Sequence, residues 1–265
     1  HSIFDYSISI YGIFAMMRTA IIVFLFIFSI AGYSQEQTKI SSSEGNQSFH
    51  RYEFYGSAFL HTNGFGAGIY KAKRITGFKK RIIALELLNL KHAKEYKSSS
   101  FSQNGGSFFY GKLNSTFLLR PTISFQKILY TKDAKKGVQL SYALYGGPTL
   151  AFLKPIYLEI ISFSTGLNDF RKIEKFDPNV HSFDNIIGKA PSLTGLEETK
   201  LLPGLHAKFG LNFEYSSHDD ILRAIETGVA MDGFIKKVPI MAYETNRQFY
   251  FTFYINFNFG RKTYQ

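Results

Sequence analysis

Apolar and polar side chains alternate in one run after another between residues 49 and 260. The plainest run is Arg247–Gly260, "RQFYFTFYINFNFG". Phe249, Phe251, Phe253, Ile255, Phe257 and Phe259 take every second position, and Tyr250, Thr252, Tyr254, Asn256 and Asn258 fill those between. Successive strand side chains point to opposite faces, so this is a strand with one wholly apolar and one polar face. The same period marks Phe49–Leu60, Phe65–Lys73, Arg81–His92, Phe108–Arg120, Val138–Phe152, Gly204–Tyr215 and Ile221–Gly233, which gives eight predicted strands. No helical period interrupts them; "FDNIIGKAPSLTGLEE" is compatible with a short helix inside a connector.

Reading the faces sharpens the picture. Leu205, Ala207, Phe209, Leu211, Phe213 and Tyr215 oppose His206, Lys208, Gly210, Asn212 and Glu214. Val138, Leu140, Tyr142 and Leu144 oppose Gln139, Ser141, Ala143 and Tyr145, and "GGP" at 146–148 predicts a bulge or kink because Pro cannot donate to the ladder. Leu113, Phe117 and Leu119 oppose Lys112, Asn114, Thr116 and Arg120. The polar faces then carry Arg51, Lys112, Arg120 and Lys208 against Glu53, Glu86, Glu214 and Glu226, four against four in a chain of formal net charge +11. Isolated buried charge is costly, so a balanced set suits a closed, plugged interior. A solvated face of mixed sign is the plainer alternative. Gly64, Gly66 and Gly68 on the inward face of the second strand are expected to make room for Tyr145 and Tyr254.

The connectors alternate too. "RITGFKK", "TISFQKILYTKDAKKG" and "SSHDD" fall at one end; "HTNG", Ala93–Ser107, Lys154–Pro203 and Lys236–Asn246 fall at the other. Short turns at one end and longer loops at the other are the habit of outer-membrane barrels. A sheet that spans lipid must close, because every backbone group needs an internal partner. The expected fold is all-β: an antiparallel up-and-down transmembrane β-barrel of about eight strands, with Phe249–Phe259 facing lipid and one long extracellular loop at 154–203. A loop of that length is expected to be functional or mobile. A soluble lipocalin-like binder would need the opposite assignment of faces.

The N-terminal stretch agrees with export. Met16, Met17 and Arg18 precede the apolar run "AIIVFLFIFSIAG" and then "YSQEQ", the build of a secretory signal peptide with cleavage after Ser34. The run is shorter than the roughly 20 residues of a spanning helix. The chain therefore divides into 1–34, an upstream extension plus signal peptide with a Met16/Met17 start; 35–48, a Ser-rich disordered leader; 49–260, the barrel; and 261–265, a tail. Cysteine is absent, which removes disulfides as staples for an exported chain.

The segments "YGKLN" (110–114), "GPTLAFLKPIYLEI" (147–160), "PGLHAKFGLNFEY" (203–215), "KKVPIMA" (236–242) and "FNFGRK" (257–262) together resemble a group of uncharacterised bacteroidete-type outer-membrane β-barrel proteins. The resemblance covers most of the mature chain. It implies the cell outer membrane as location and the barrel as fold, and it carries no activity, so no functional residue transfers with it. The last strand also resembles the C-terminal signal read by the barrel-assembly machinery, although "GRKTYQ" follows Phe259.

Little catalytic chemistry is legible. His50, His61, His92, His181, His206 and His218 are scattered without the spacing of a metal site, so neither metal nor cofactor is expected. "HSFD" at 181–184 is adjacency in sequence rather than triad geometry, and GxSxG is missing. "GFGAG" at 64–68 precedes no helix, which removes the dinucleotide reading. Lys71, Lys73, Arg74, Lys79, Lys80, Arg81, Lys127, Lys132, Lys135 and Lys136 gather in connectors. For an exported chain their counter-ions are outer-membrane lipid and lipopolysaccharide phosphates rather than nucleic acid. The leading expectation is a non-enzymatic barrel with a plugged polar lumen that binds an envelope protein partner or assembles through 154–203. The alternatives are a barrel enzyme acting on envelope lipid or peptide and a small transport channel.

Overall fold

A computed structural model describes residues 52–100, 106–131, 137–162, 170–216, 218 and 220–263. The expected signal peptide and leader, together with Arg51, lie outside the described residues. The strands, in chain order, are β1 Tyr52–His61, β2 Gly64–Thr76, β3 Lys79–Leu90, β4 Lys97–Ser99, β5 Ser107–Phe109, β6 Asn114–Tyr130, β7 Gln139–Pro155, β8 Tyr157–Ser162, β9 Phe170–Lys175, β10 Ile186–Lys189, β11 Lys200–Glu214, β12 Ile221–Phe234 and β13 Phe249–Thr263. Eight of them close into a barrel in the order β1-β13-β12-β11-β7-β6-β3-β2. Every seam is antiparallel, and the closing seam runs from Tyr52↔Thr263 to His61↔Tyr254. Closure leaves no free sheet edge, so each strand finds backbone partners on both sides.

Alternation of burial follows the alternation of the sequence. Along β13, Phe249 to Phe259 are exposed while Tyr250, Thr252, Tyr254, Asn256 and Asn258 are buried. In β11 and β7 the predicted inward and outward sets take those sides. The boundaries differ at several points: β2 reaches Thr76, β7 runs to Pro155 and β11 begins at Lys200, which trims the expected 154–203 loop at both ends. The fourth barrel strand is Asn114–Tyr130, so "TISFQKILY" is strand rather than turn, and the connector after it begins at Thr131. β13 continues through Lys262 to Thr263, so residues 261–263 belong to the barrel and not to a tail.

"GGP" produces no bulge. Leu119 pairs with Leu150 and Ile123 with Gly146, the same register on both sides of the prolines. That register sets Pro121 opposite Pro148, and the pairing lapses between them, since neither ring nitrogen carries a proton to donate. The second-strand glycines make room for other rings than expected. A Cβ on Gly66 would lie 2.5 Å from Phe59 Cζ and one on Gly68 2.9 Å from Tyr70 Cε2. Tyr254 takes its room from Gly210, whose Cβ would lie 2.3 Å from the phenol oxygen.

The bore is filled in layers. Towards the long-loop end, Phe59, Leu88, Leu90, Leu118, Leu153, Phe234 and Tyr250 pack on Val238, Ile240 and Met241 from the β12–β13 connector. That layer is apolar, which corrects the expectation of a lumen polar throughout. Below it lies a band of charges; Tyr55, Tyr70, Ala72, Ile82, Ala84, Tyr145 and Leu222 pack against the underside of that band, and further charge pairs lie towards the short-turn end.

Candidate functional site

The inward charges are paired. Lys208 Nζ donates to Glu86 Oε1 at 2.5 Å and lies 3.6 Å from Glu226 Oε1. Arg120 forks onto both carboxylate oxygens of Asp232 and stands 3.7 Å from Glu86. Three phenols complete the cluster: Tyr70 donates to Glu86 at 2.7 Å, and Tyr145 and Tyr254 donate to Glu226 at 2.6 and 2.8 Å. The Lys208 ammonium sits over the rings of Tyr145, Tyr254 and Tyr70, at 4.0, 4.9 and 5.8 Å from their centroids. Nearer the short-turn end, Lys80 holds Glu53 at 2.6 Å and Lys262 holds Glu214. Burial makes each of these charges depend on its partner, because water cannot replace it.

Of the residues singled out by alternation, Glu53, Glu86, Arg120, Lys208, Glu214 and Glu226 all point into the bore and are buried. Lys112 does not. It lies outside the barrel strands, bridges Met241 and pairs with Glu95 in the long-loop end, because the alternation around it belongs to a connector and not to a wall strand. Three bore charges were not singled out: Lys80, Asp232 and Lys262. Parity signals each of them. Lys80 shares its face with Glu86, Asp232 with Glu226, and Lys262 with Asn258 once the strand is allowed past Gly260.

Four of the histidines have structural partners, and His50 lies outside the described residues. His206 is buried in the bore between Thr122 Oγ1 at 3.0 Å and the Pro148 carbonyl at 3.2 Å. His61 and His92 accept backbone N–H groups two residues ahead, from Asn63 and Lys94. His181 accepts the Asp177 N–H and meets Glu174 Oε2 at 3.2 Å, so it is turned away from any "HSFD" triad. Among the described residues no three His, Asp or Glu converge on a metal position.

At the long-loop end the connectors fold on one another. β8, β9 and β10 form a sheet in the order β10-β8-β9, and β4 pairs with β5. Phe108, Leu158, Ile160, Phe176 and Ile186 make a core of their own, with Tyr110, Ile156, Phe183 and Ala242 against it. The Leu113 N–H donates to the Ile240 carbonyl at 2.8 Å, the Tyr243 hydroxyl to the Pro178 carbonyl at 2.9 Å, and the Asn114 amide to the Pro239 carbonyl at 2.7 Å. The described residues between β7 and β11, 156–162 and 170–199, therefore form a folded platform above the barrel, while Lys154, Pro155 and 200–203 belong to the wall. On its surface, the Glu174 carboxyl is held below its ordinary range by hydrogen bonds from Lys172 and then His181. Glu198 is held low in the same way by Lys175 and then Tyr157. The platform leaves Ile173, Val180, Leu193 and Tyr243 exposed.

Outside, Phe54, Ile69, Ile83, Leu85, Leu87, Phe125, Leu144, Phe209, Met231 and the odd positions of β13 from Phe249 to Phe259 make an exposed apolar belt around the wall. Phe249 to Phe259 spans about 33 Å along the strand at 3.3 Å per residue. Tilted by the usual 35–45° this is about 25 Å of height, the apolar band of a membrane barrel. Below the belt, at the short-turn end, Lys71, Lys73, Lys79, Arg81, Lys127, Arg223 and Arg261 point outward as a basic collar. Lys80 is missing from this collar because it faces the bore.

No protein-family model matches the chain, and no match to a curated protein is found. Among solved structures it is similar to Neisserial surface protein A, with 10% identity over 81% of this chain and 96% of that one, at a TM-score of 0.36. It is also similar to the N-terminal β-barrel domain of Pseudomonas aeruginosa OprF, with 8% identity over 80% and 100% of the two chains, at a TM-score of 0.34. A third similarity is to Ail, the attachment invasion locus protein of Yersinia pestis, with 8% identity over 80% and 95%, at a TM-score of 0.34.

Proposed function

We propose that the chain is an integral protein of the cell outer membrane, exported by its signal peptide, with a closed bore and a non-enzymatic role in binding or assembly through the 154–203 loop, whose described residues between β7 and β11 form the platform. The single observation that carries this reading is the reversal of polarity across the wall. Paired charges and phenols are buried inside, whereas a belt of Phe, Ile and Leu is exposed outside. A water-soluble barrel would expose the polar set, and large exposed apolar surfaces need a cover. The collar of Lys and Arg below the belt supports the same reading, since such side chains carry their charge past an apolar boundary to the headgroups. The filled bore speaks against solute passage, and the exposed Ile173, Val180, Leu193 and Tyr243 on the platform favour an envelope protein partner. On the segments resembling bacteroidete-type barrels, we place the chain in that group.

Fractionation of an expressing cell envelope tests this. The protein is expected in the outer-membrane fraction and to migrate faster in detergent gels when left unheated. A soluble monomer recovered without detergent would overturn it.

A further inference from the structure

A cleft of about 240 Å³ opens at the rim, where the outer wall of β6 and β7 meets the platform. Its lower wall is Ser115 and Phe117 of β6 with Lys154 of β7; its upper wall comes from Tyr157, Leu158, residues 189–192 and Thr194. Two features mark it. The first is uncompensated charge. Lys154 and Lys189 both line the cleft and repel one another. Lys112 at its edge is already neutralised by Glu95, but neither Lys154 nor Lys189 has a carboxylate partner among the described residues. Lys154 is oriented all the same, because its ammonium donates to the Ser192 carbonyl at 2.6 Å. Lys154 is half-buried and Lys189 exposed at the mouth; two cations lining one partly apolar cleft with no carboxylate beside them leave a site that an anion would complete.

The second feature is what lies beneath. Ser115 pairs with Lys154, and the next outward pairs down the wall are Phe117↔Phe152 and Leu119↔Leu150. Below these come Pro121 and Pro148, then Ile123, Phe125 and Leu144, all outward. The cleft therefore caps an unbroken apolar track that runs the height of the β6–β7 seam. A cationic pocket above such a track suits a molecule with a phosphate at one end and hydrocarbon at the other.

We infer that this rim cleft is a binding site for a phosphorylated lipid, its phosphate between Lys154 and Lys189 and its acyl chains along the β6–β7 track. The inference rests on the membrane reading above, and it names a ligand class for the long-loop end. Phosphate is the recognised chemistry, and the track selects a lipid over the free ion.

The full chain, refolded in micelles of a neutral detergent, would be mixed with equal amounts of phosphatidic acid and phosphatidylcholine and read by native mass spectrometry. At least tenfold preferential retention of phosphatidic acid is expected. Lys154→Gln with Lys189→Gln should abolish the preference and leave heat-modifiable migration unchanged. Lys71→Gln with Lys73→Gln, which removes equal charge from the opposite end, should keep it. Inorganic phosphate in millimolar excess should fail to displace the lipid. Equal retention of the two lipids overturns the inference, as does equal loss of preference in both double variants. Displacement by inorganic phosphate would overturn the lipid assignment in favour of a free-anion site. Protection of the strands from protease in lipid vesicles, measured separately, reports on the membrane reading itself and is not needed for the micelle result.

Discussion

Lys208 and Glu86 meet across the bore at 2.5 Å although 122 residues separate them in the chain. Glu86 lies on β3 and Lys208 on β11, strands that are not neighbours in the wall. The contact therefore ties together staves three places apart in the ring, through the interior, where sheet hydrogen bonds cannot reach. Glu86 also accepts from Tyr70 and faces Arg120, so this one carboxylate gathers two cations and a phenol.

Glu86→Gln should therefore destabilise the barrel by roughly 3–5 kcal/mol, the range for breaking a buried pair by removing one partner. Thermal unfolding followed by the heat-dependent gel shift would measure it. Adding Lys208→Met should recover part of the loss, because the stranded ammonium is then gone. Additive effects in the double variant would mean that the two side chains do not interact.

The exposed position of Phe253 on β13, with 60% of its surface accessible, leads to a second expectation. Phe253→Arg should cost about 2–4 kcal/mol of folding into lipid, the range for a cation near the middle of a bilayer, whereas Phe253→Leu should cost little. Equilibrium refolding into vesicles separates the two. Thr252→Asp is not a harmless control, since Thr252 is packed within the closed bore.

Gly210 and Tyr254 should be coupled. A methyl group at 210 would press on the Tyr254 hydroxyl and on the Glu226 carboxylate behind it. Gly210→Ala is expected to lower the midpoint of thermal unfolding. Tyr254→Phe should cost about 1 kcal/mol alone for its lost hydrogen bond. In the double variant the missing hydroxyl gives back the space, so the combined loss should be less than the sum.

Acid should loosen the platform before the barrel. Glu174 and Glu198 titrate below their ordinary 4.5 in the folded protein, so their stabilising contribution is present above that value and fades as pH falls through the lowered ones. Both are surface groups, and the effect is modest. Amide protection factors by NMR at neutral pH and at about pH 3 are expected to fall in β8 and β9, with the central residues of β11 and β12 unchanged.

The filled bore gives a further expectation. Protein reconstituted in planar bilayers should show no stable conductance, because an eight-stranded bore is just wide enough for its own side chains and Val238, Ile240 and Met241 close its long-loop end. A large, steady single-channel current would refute both the plug and the packing of the charge cluster.

The wall was legible in the sequence because period two is a strong local pattern. β13 and β11 announce their two faces in every residue, and parity alone carries Lys80 and Asp232 inward with Glu86 and Glu226. Which inward charge meets which was not legible. Alternation gives the face of a residue, but its height in the bore depends on strand stagger, which only closure sets. The platform was hidden for a different reason. β4, β5 and β10 are three or four residues long, too short to display a period, and Lys112 beside them alternates by accident. The apolar plug from "KKVPIMA" was hidden too, since a buried connector looks like any loop with a few apolar residues.

The seam between β1 and β13 joins the first and last staves of the wall, the two most distant along the chain. Each earlier strand of the barrel can find its neighbour as soon as the next hairpin or crossing is made, but this pair must wait for the last strand to emerge. Until then the sheet is an open ribbon with two bare edges, each a template for pairing with another chain. Such a ribbon is also greasy along one whole side. The interval between synthesis and fastening of that seam is therefore the hazardous part of the protein's life, and a companion that shields the edges would matter more to its yield than any single contact in the finished barrel.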